Sequence, residues 1–184
     1  MLTDLVPLMD VPMLFKELGY ILSDFNIIGW RSRNGRVNHF DDFISVVVRS
    51  EDIFKEAVWE ATTRPGSPWL RTPITERGAA ILVPGQYLNA YCLGVYKGYE
   101  CLRQFGPLSV YRDNDRDEDF DAQIDTIETG YFGIHIHKAG LLSNFVGTWS
   151  AGCQVFRRKD DFESFIEICK RSNKNYFTYT LLEF

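Results

Sequence analysis

The sequence predicts a mainly β domain with a few helices, an α+β fold. Three observations carry this expectation. Aromatic residues are plentiful, with fourteen Phe, nine Tyr and four Trp, and such rings favour strands and carry much buried area. Short β-branched or aromatic runs recur along the chain, separated by turn signals such as Asn34-Gly35, Pro84-Gly85 and Gly106-Pro107. One well-formed amphipathic helix stands near the end.

In chain order, Asp10-Val11-Pro12 reads as a helix start with an Asp cap and an early Pro. Leu14, Leu18, Ile21 and Leu22 then give that helix an apolar face. Ile27 to Trp30 and Phe43 to Val48 are strand-like runs. Ala57, Trp59 and Ala61 alternate with Val58, Glu60 and Thr62, which suits a strand. Residues 63–68 read as a loop. Ala79 to Val83, Leu88 to Tyr96 and Leu108 to Tyr111 are further strand candidates, and Arg112 to Asp121 is an acidic loop. A strand is expected from Tyr131 to His137. Asp160 and Glu163 suggest a capping box, followed by Phe162, Phe165, Ile166 and Cys169 on one helical face. Tyr176 to Leu182 closes the chain as a strand.

At 184 residues the chain fits one domain, 1–184, with normal hydrophobic (45%) and charged (24%) fractions and no internal repeat. Residues 1–125 form a β-rich part of unassigned role, and 126–184 hold the chemistry-bearing segment. A net charge of −5 argues against a nucleic-acid partner. No stretch approaches membrane-spanning length. Met1 to Pro7 shows no basic region before an apolar run, so synthesis in the cytoplasm without a signal peptide is expected. Cys92, Cys101, Cys153 and Cys169 form no CxxC pair, so a structural zinc site is not expected and the thiols are expected to be reduced. Cys92, Cys101 and Cys169 read as small buried hydrophobes.

The chemistry-bearing segment contains Gly133-Ile134-His135-Ile136-His137 and then Trp149-Ser150-Ala151-Gly152-Cys153. A thiol is a weak nucleophile until a base or positive neighbour makes it a thiolate, and two of the three histidines stand close in sequence to Cys153. On a strand His135 and His137 share a face, with Ile134 and Ile136 on the other. Small residues at the Trp149–Cys153 turn let backbone approach a substrate, and the N–H groups of Gly152 and Cys153 can form an oxyanion hole.

Ile136-His137 followed by Ser150-Ala151-Gly152-Cys153 resembles the catalytic motif of L,D-transpeptidases, the YkuD-like family, over roughly residues 130–184. That resemblance implies a cysteine enzyme acting on peptidoglycan peptide stems. Cys153 would be the acyl-accepting nucleophile. His137 would be its base, oriented by a backbone carbonyl, with His135 as base in an alternative register. Ser150 would support the turn or touch substrate, and Trp149 and Gln154 would bind substrate. No cofactor or metal is implied. The chain departs from the family where Ala151 replaces a His, and where Gln154-Val155 replace an apolar residue and Arg. Work at the cell wall without a signal segment points to a phage or prophage lytic protein, or to a toxin delivered by a secretion machine. Two alternatives stand beside transfer: a cell-wall hydrolase of the same chemistry, and a non-catalytic wall-binding or virion structural module.

Other candidates have ordinary explanations. His135, His137 and Cys153 could ligate zinc, but no further His or acid stands nearby. His39 reads as structural, satisfied by neighbouring backbone. The run from Asp113 to Asp119 has the alternating oxygens of a calcium loop, but lacks its Gly and has Ile124 where a bidentate Glu belongs. Arg31, Arg33, Arg36 and Arg49 could grip an anionic polymer, although a solvated hairpin tip is the commoner meaning of such a cluster.

Overall fold

Asp10 caps the first helix, its carboxylate accepting the Met13 N–H at 3.1 Å. Helix α1 (Val11–Leu18) stops at Gly19, whose left-handed φ of 70° lets its N–H bond back to Phe15 and Lys16 carbonyls. The computed structural model describes residues 10–51, 53–119 and 123–184. The expectations for Met1 to Pro7 and for the end of the acidic loop at Asp121 lie outside the described residues, as does the side chain of Ile124. After α1 come β1 (Phe25–Arg31), β2 (Asp42–Ser50), β3 (Ile53–Thr62), α2 (Ser67–Arg71), β4 (Ala79–Leu82) and β5 (Gly85–Tyr96). They are followed by β6 (Tyr99–Gln104), β7 (Leu108–Asp113), β8 (Gln123–Gly130), β9 (Ile136–Lys138), β10 (Gln154–Phe156), α3 (Lys159–Arg171) and β11 (Phe177–Glu183).

The fold is mainly β, as expected. Eight strands close a barrel in the order β1-β11-β5-β6-β9-β10-β3-β2, and β4-β7-β8 make a second, antiparallel sheet. Strands β11, β9 and β10 from 126–184 are inserted among the strands from 1–125 around the barrel, so the two parts share one core. Ile27, Ile44, Trp59, Tyr91, Leu102, Ile136, Phe156 and Tyr179 belong to that core. Phe162, Phe165, Ile166 and Cys169 of α3 join it, with Phe165 stacked 4.8 Å from Phe156. Gly29 is glycine because a side chain there would meet the Tyr179 hydroxyl. A separate cluster lies outside β1, where Val11 and Phe15 of α1 cover Ile28, Trp30, Phe43 and Val47. Strand β1 is therefore buried on both faces, which accounts for its unbroken apolar run.

Several local expectations are corrected. The buried face of α1 is Val11 and Phe15; Leu18 is largely exposed, and Ile21 and Leu22 lie beyond the Gly19 stop. Residues 63–68 are only partly loop, because Pro68 sits in the first turn of α2 where its missing N–H costs nothing. No capping box starts α3: Arg158 is its N-cap, with no side-chain bond, and Asp160 favours the helix from inside the first turn. The expected strand Tyr131–His137 is regular only from Ile136. Strands β6, β8 and β10 were not expected.

The arginine cluster is also corrected. Arg31 is fully buried, not at a solvated tip. Its guanidinium donates to Thr63 Oγ1 at 2.9 Å, Thr63 O at 2.9 Å and Leu82 O at 2.8 Å. Asp42 accepts the Ser32 N–H at 2.9 Å, the Thr63 N–H at 2.8 Å and the Thr63 hydroxyl at 2.7 Å, with Arg64 at 3.7 Å. Burial lowers the Arg31 pKa and raises that of Asp42, and the neighbouring opposite charges resist both shifts. On the surface, Arg36 pairs with Asp41 and Arg49 donates to Glu51 O.

Candidate functional site

Strands β9 and β10 run parallel, with Ile136 beside Gln154 and His137 beside Val155. One step earlier, the Gln154 N–H donates to His135 O at 2.9 Å. Cys153 therefore lies alongside His135, and His137 follows on the same face. The His135 N–H donates to Cys153 Sγ at 3.4 Å, and the thiol faces Gly133 O at 3.6 Å. Ile134 and Ile136 turn into the core, as alternation predicts.

The two imidazoles are held differently. His137 Nδ1 lies 2.9 Å from Lys138 O and 3.2 Å from the Tyr99 hydroxyl. A carbonyl only accepts, so Nδ1 carries the proton of the neutral ring and Nε2 keeps its lone pair. His135 Nδ1 instead accepts the Gln104 N–H at 3.1 Å, which places its proton on Nε2. The tautomer of His137 is the one a base acting through Nε2 needs; that of His135 is not.

Burial sets the protonation states. It pushes the His137 pKa down to about 4, against the opposing pull of the Lys138 carbonyl. His135 is lowered by burial and then by Arg103. The Cys153 thiol is pushed up to about 11 by burial, opposed by the His135 N–H and the Lys97 charge. The resting pair is a neutral thiol and a neutral imidazole. Nucleophilic attack then requires the thiol proton to leave as the sulfur bonds, which is general-base chemistry.

The turn before Cys153 is locked by Ser150. Its buried hydroxyl donates to Cys153 O at 2.8 Å and accepts the Gly152 N–H at 3.1 Å. Gly152 has a φ of 124°, and a side chain there would meet Ala80 O of β4. Of the two expected oxyanion donors, the Gly152 N–H is occupied by Ser150. The Cys153 N–H makes no hydrogen bond among the described residues. Trp149 is half exposed and packs near Gly140 at the rim. Gln154 is not substrate-facing. It is fully buried on the inner face, accepting from the Tyr179 hydroxyl at 2.8 Å and donating to Gly152 O at 3.2 Å.

Residues the sequence reading missed complete the site. Gln104 Oε1 accepts three successive N–H groups, from Phe132 at 3.0 Å, Gly133 at 2.9 Å and Ile134 at 3.2 Å. Its amide donates to Gly106 O and Gly130 O, both at 2.9 Å. One side chain thus fixes the irregular segment that offers the thiol both Gly133 O and the His135 N–H. Tyr96 sits edge-on to His135 at 4.9 Å and 5.6 Å from His137. The turn between β5 and β6 is Lys97-Gly98, with φ of 49° and 85°, and a Gly between two aromatic runs was the signal that would have revealed it. A cleft of about 360 Å³ lies beside the site, between Tyr99, Glu100 and Lys138 and the α3 residues Phe162 and Ile166; Cys153 and the two histidines do not line it. Another of about 250 Å³ is lined by Trp69, Arg112, Phe132 and Ala151, the last two being close in sequence to Gly133 and Cys153.

The remaining candidates lie elsewhere. His39 Nδ1 is satisfied by Val37 O at 2.8 Å. Cys101 and Cys169 are buried and Cys92 half-buried, and all are free thiols. In the acidic loop, the Asp115 and Asp117 carboxylates accept backbone N–H groups of the same loop, and Glu118 pairs with Arg71. Among the described residues no group of three His, Cys, Asp or Glu side chains is placed to hold a metal ion, and no helix is long and apolar enough to cross a membrane. Comparison with protein-family models, with curated proteins and with solved structures gives no match to this chain.

Proposed function

We propose that this protein is a thiol-dependent acyl-transfer enzyme acting on the peptide stems of peptidoglycan, in the manner that its resemblance to L,D-transpeptidases implies. One observation carries the proposal. His137 Nδ1 is tied to Lys138 O at 2.9 Å, leaving Nε2 as the basic nitrogen on the strand face that also bears Cys153. In the proposed reaction, Nε2 takes the thiol proton while Sγ attacks a stem carbonyl. The Cys153 N–H stabilises the developing oxyanion. The amine of the cleaved bond leaves with the proton held by His137, and an acyl-thioester remains on Cys153. An incoming amine or water then resolves that thioester. Ser150 acts by holding the turn. The substrate places the site of action at the cell wall, with phage or secretion-system delivery as the proposed route.

Incubation with cell-wall sacculi tests this. New cross-linked or exchanged muropeptides mean transfer, and only shortened ones mean hydrolysis by the same thiol. Full activity in Cys153→Ala would sink the proposal. The high thiol pKa and Ala151 favour a second reading, a binding module with a silent site. Rate of Cys153 alkylation by iodoacetamide against pH separates them. Labelling that outpaces the other cysteines and collapses in His137→Ala supports the enzyme; slow labelling that ignores the substitution, with retained sacculus binding, supports the module.

A further inference from the structure

The loop between β9 and β10 turns its largest side chains away from the protein. Among the described residues fifteen large apolar side chains are exposed, and four of them, Leu141, Leu142, Phe145 and Trp149, fall within nine consecutive positions. Leu141 is 78% exposed, Phe145 59% and Leu142 57%. Of the loop's apolar residues only the smaller ones go inward, Ala139 and Val146 joining Phe40 and Val155. The backbone beneath the exposed side chains is pinned. Leu141 O accepts the Lys159 N–H at 3.1 Å, and the Ser143 N–H donates to Arg157 O at 3.2 Å. Ser143 O accepts from the Arg157 guanidinium at 3.1 Å. Asn38 accepts the Val146 N–H at 2.9 Å through its backbone carbonyl and the Gly147 N–H at 2.6 Å through its side chain. The loop is therefore a built projection with an apolar tip, which marks an interaction surface rather than a packing need.

Charge is sorted around that projection. From Thr129 to Lys159 the sequence has no Asp or Glu, although the chain holds twenty-five, and it carries Lys138, Arg157, Arg158 and Lys159. Arg158 lies 3.9 Å from Asp161 and Lys159 lies 3.4 Å from Glu163. Arg36, two residues before the Asn38 that holds the loop, is 72% exposed and 3.8 Å from Asp41. Surface pairs of this kind are weak, so the three cations stay available to a stronger anionic surface. Protein partners are gripped by side chains set in pockets. Here three side chains stand out of a convex loop, with polar Ser143 and Asn144 between them, and that shape fits a medium that adapts to it. Leu and Phe at the tip, a half-exposed Trp packed near Gly140 and cations beside them are the chemistry of a bilayer interface.

We propose that this loop docks the protein on an anionic lipid bilayer. Leu141, Leu142 and Phe145 enter the boundary between headgroups and acyl chains, Trp149 rests at headgroup level, and Arg36, Arg158 and Lys159 meet lipid phosphates. Docking of this kind needs no spanning helix. It goes beyond the acyl-transfer reading and does not rest on it. Its consequence for the site is placement, because Cys153 follows Trp149 by four residues and is held close to the bilayer surface.

The test is co-sedimentation of the full chain with vesicles of mixed phosphatidylglycerol and phosphatidylcholine, beside vesicles of phosphatidylcholine alone. The expected result is binding to the mixed vesicles, stronger than to phosphatidylcholine. It weakens about tenfold in Leu141→Gln and about tenfold in Phe145→Gln, the scale of one such side chain leaving water. Both side chains are more than half exposed, so circular dichroism and the thermal midpoint should not move. Arg158→Gln with Lys159→Gln should narrow the preference for the anionic vesicles. No binding to either vesicle overturns the proposal. Binding that both apolar-to-Gln variants keep also overturns it, since charge alone would then account for it. Self-association in light scattering in place of vesicle binding, lost in Leu141→Gln, would assign the loop to a second copy of the chain instead. Cys153→Ala should bind vesicles as the wild type does, so failure of the enzyme reading and failure of this one are seen separately.

Discussion

Two buried polar regions of this protein use opposite strategies. Around Arg31 and Asp42, groups of opposite charge are buried together: a guanidinium and a carboxylate share Thr63, and Arg64 stands at 3.7 Å. Around Cys153 and His137, charge is suppressed, and the partners of the thiol are backbone groups. The first region ties β1, β2 and β4 together through Arg31, Asp42 and Thr63. In the second, a single proton moving from sulfur to nitrogen creates both charges at once. Pairing makes a buried group inert, whereas burial without a counter-ion leaves it poised to exchange its proton.

Substitutions can break this contrast, from the largest expected effect downward. Cys153→Ala should remove activity on sacculi entirely while the thermal midpoint changes little, seen by muropeptide chromatography and circular dichroism. His137→Ala should lower the rate by about 10²–10⁴-fold, the usual worth of a general base, and His135→Ala by less. The reverse order would transfer the role to His135. Arg31→Met should strand the Thr63 and Leu82 carbonyls, remove one of the two cations near buried Asp42, and cost about 3–5 kcal/mol of stability in urea unfolding. An unchanged midpoint would show that the buried guanidinium adds nothing to stability.

Acid sharpens the comparison further. The His137 pKa lies near 4 in the folded chain against 6.5 ordinarily. Between those values the unfolded chain binds the proton and the folded chain does not. Stability should therefore fall as pH drops from about 6.5 to 4, by about 3 kcal/mol from this group. The difference between wild type and His137→Gln in urea midpoints across that range isolates it. The smallest effect expected is from Gln104→Leu, which strands backbone N–H groups at a cost of about 1–3 kcal/mol. It should also slow Cys153 alkylation more than that of the other cysteines.

The juxtaposition of Cys153 with the two histidines was legible because all three lie in one short segment, and strand alternation alone put His135 and His137 on one face. The same alternation, applied one residue further, turns Gln154 inward beside Ile136, so its assignment to substrate misread a period already in hand. Tyr96, Lys97 and Gln104 were illegible for a different reason. They come from the β5–β6 hairpin, and no local pattern states which distant strand will pair with β9. Arg31 looked like part of a surface cluster because neighbours in sequence, Arg33 and Arg36, do reach solvent. Only closure of the barrel separates them.

Strand β6 meets β9 through a single residue pair, Leu102 with Ile136, and beyond it the Gln104 amide stands in for a ladder. The barrel thus has a seam latched by one side chain rather than zipped by backbone. Such a latch can release without disturbing the neighbouring strands, so the amides of Phe132, Gly133 and Ile134 are set to exchange with deuterium as a unit, ahead of those in β2 and β3. The segment held by that latch is also the one that presents Gly133 O and the His135 N–H to Cys153.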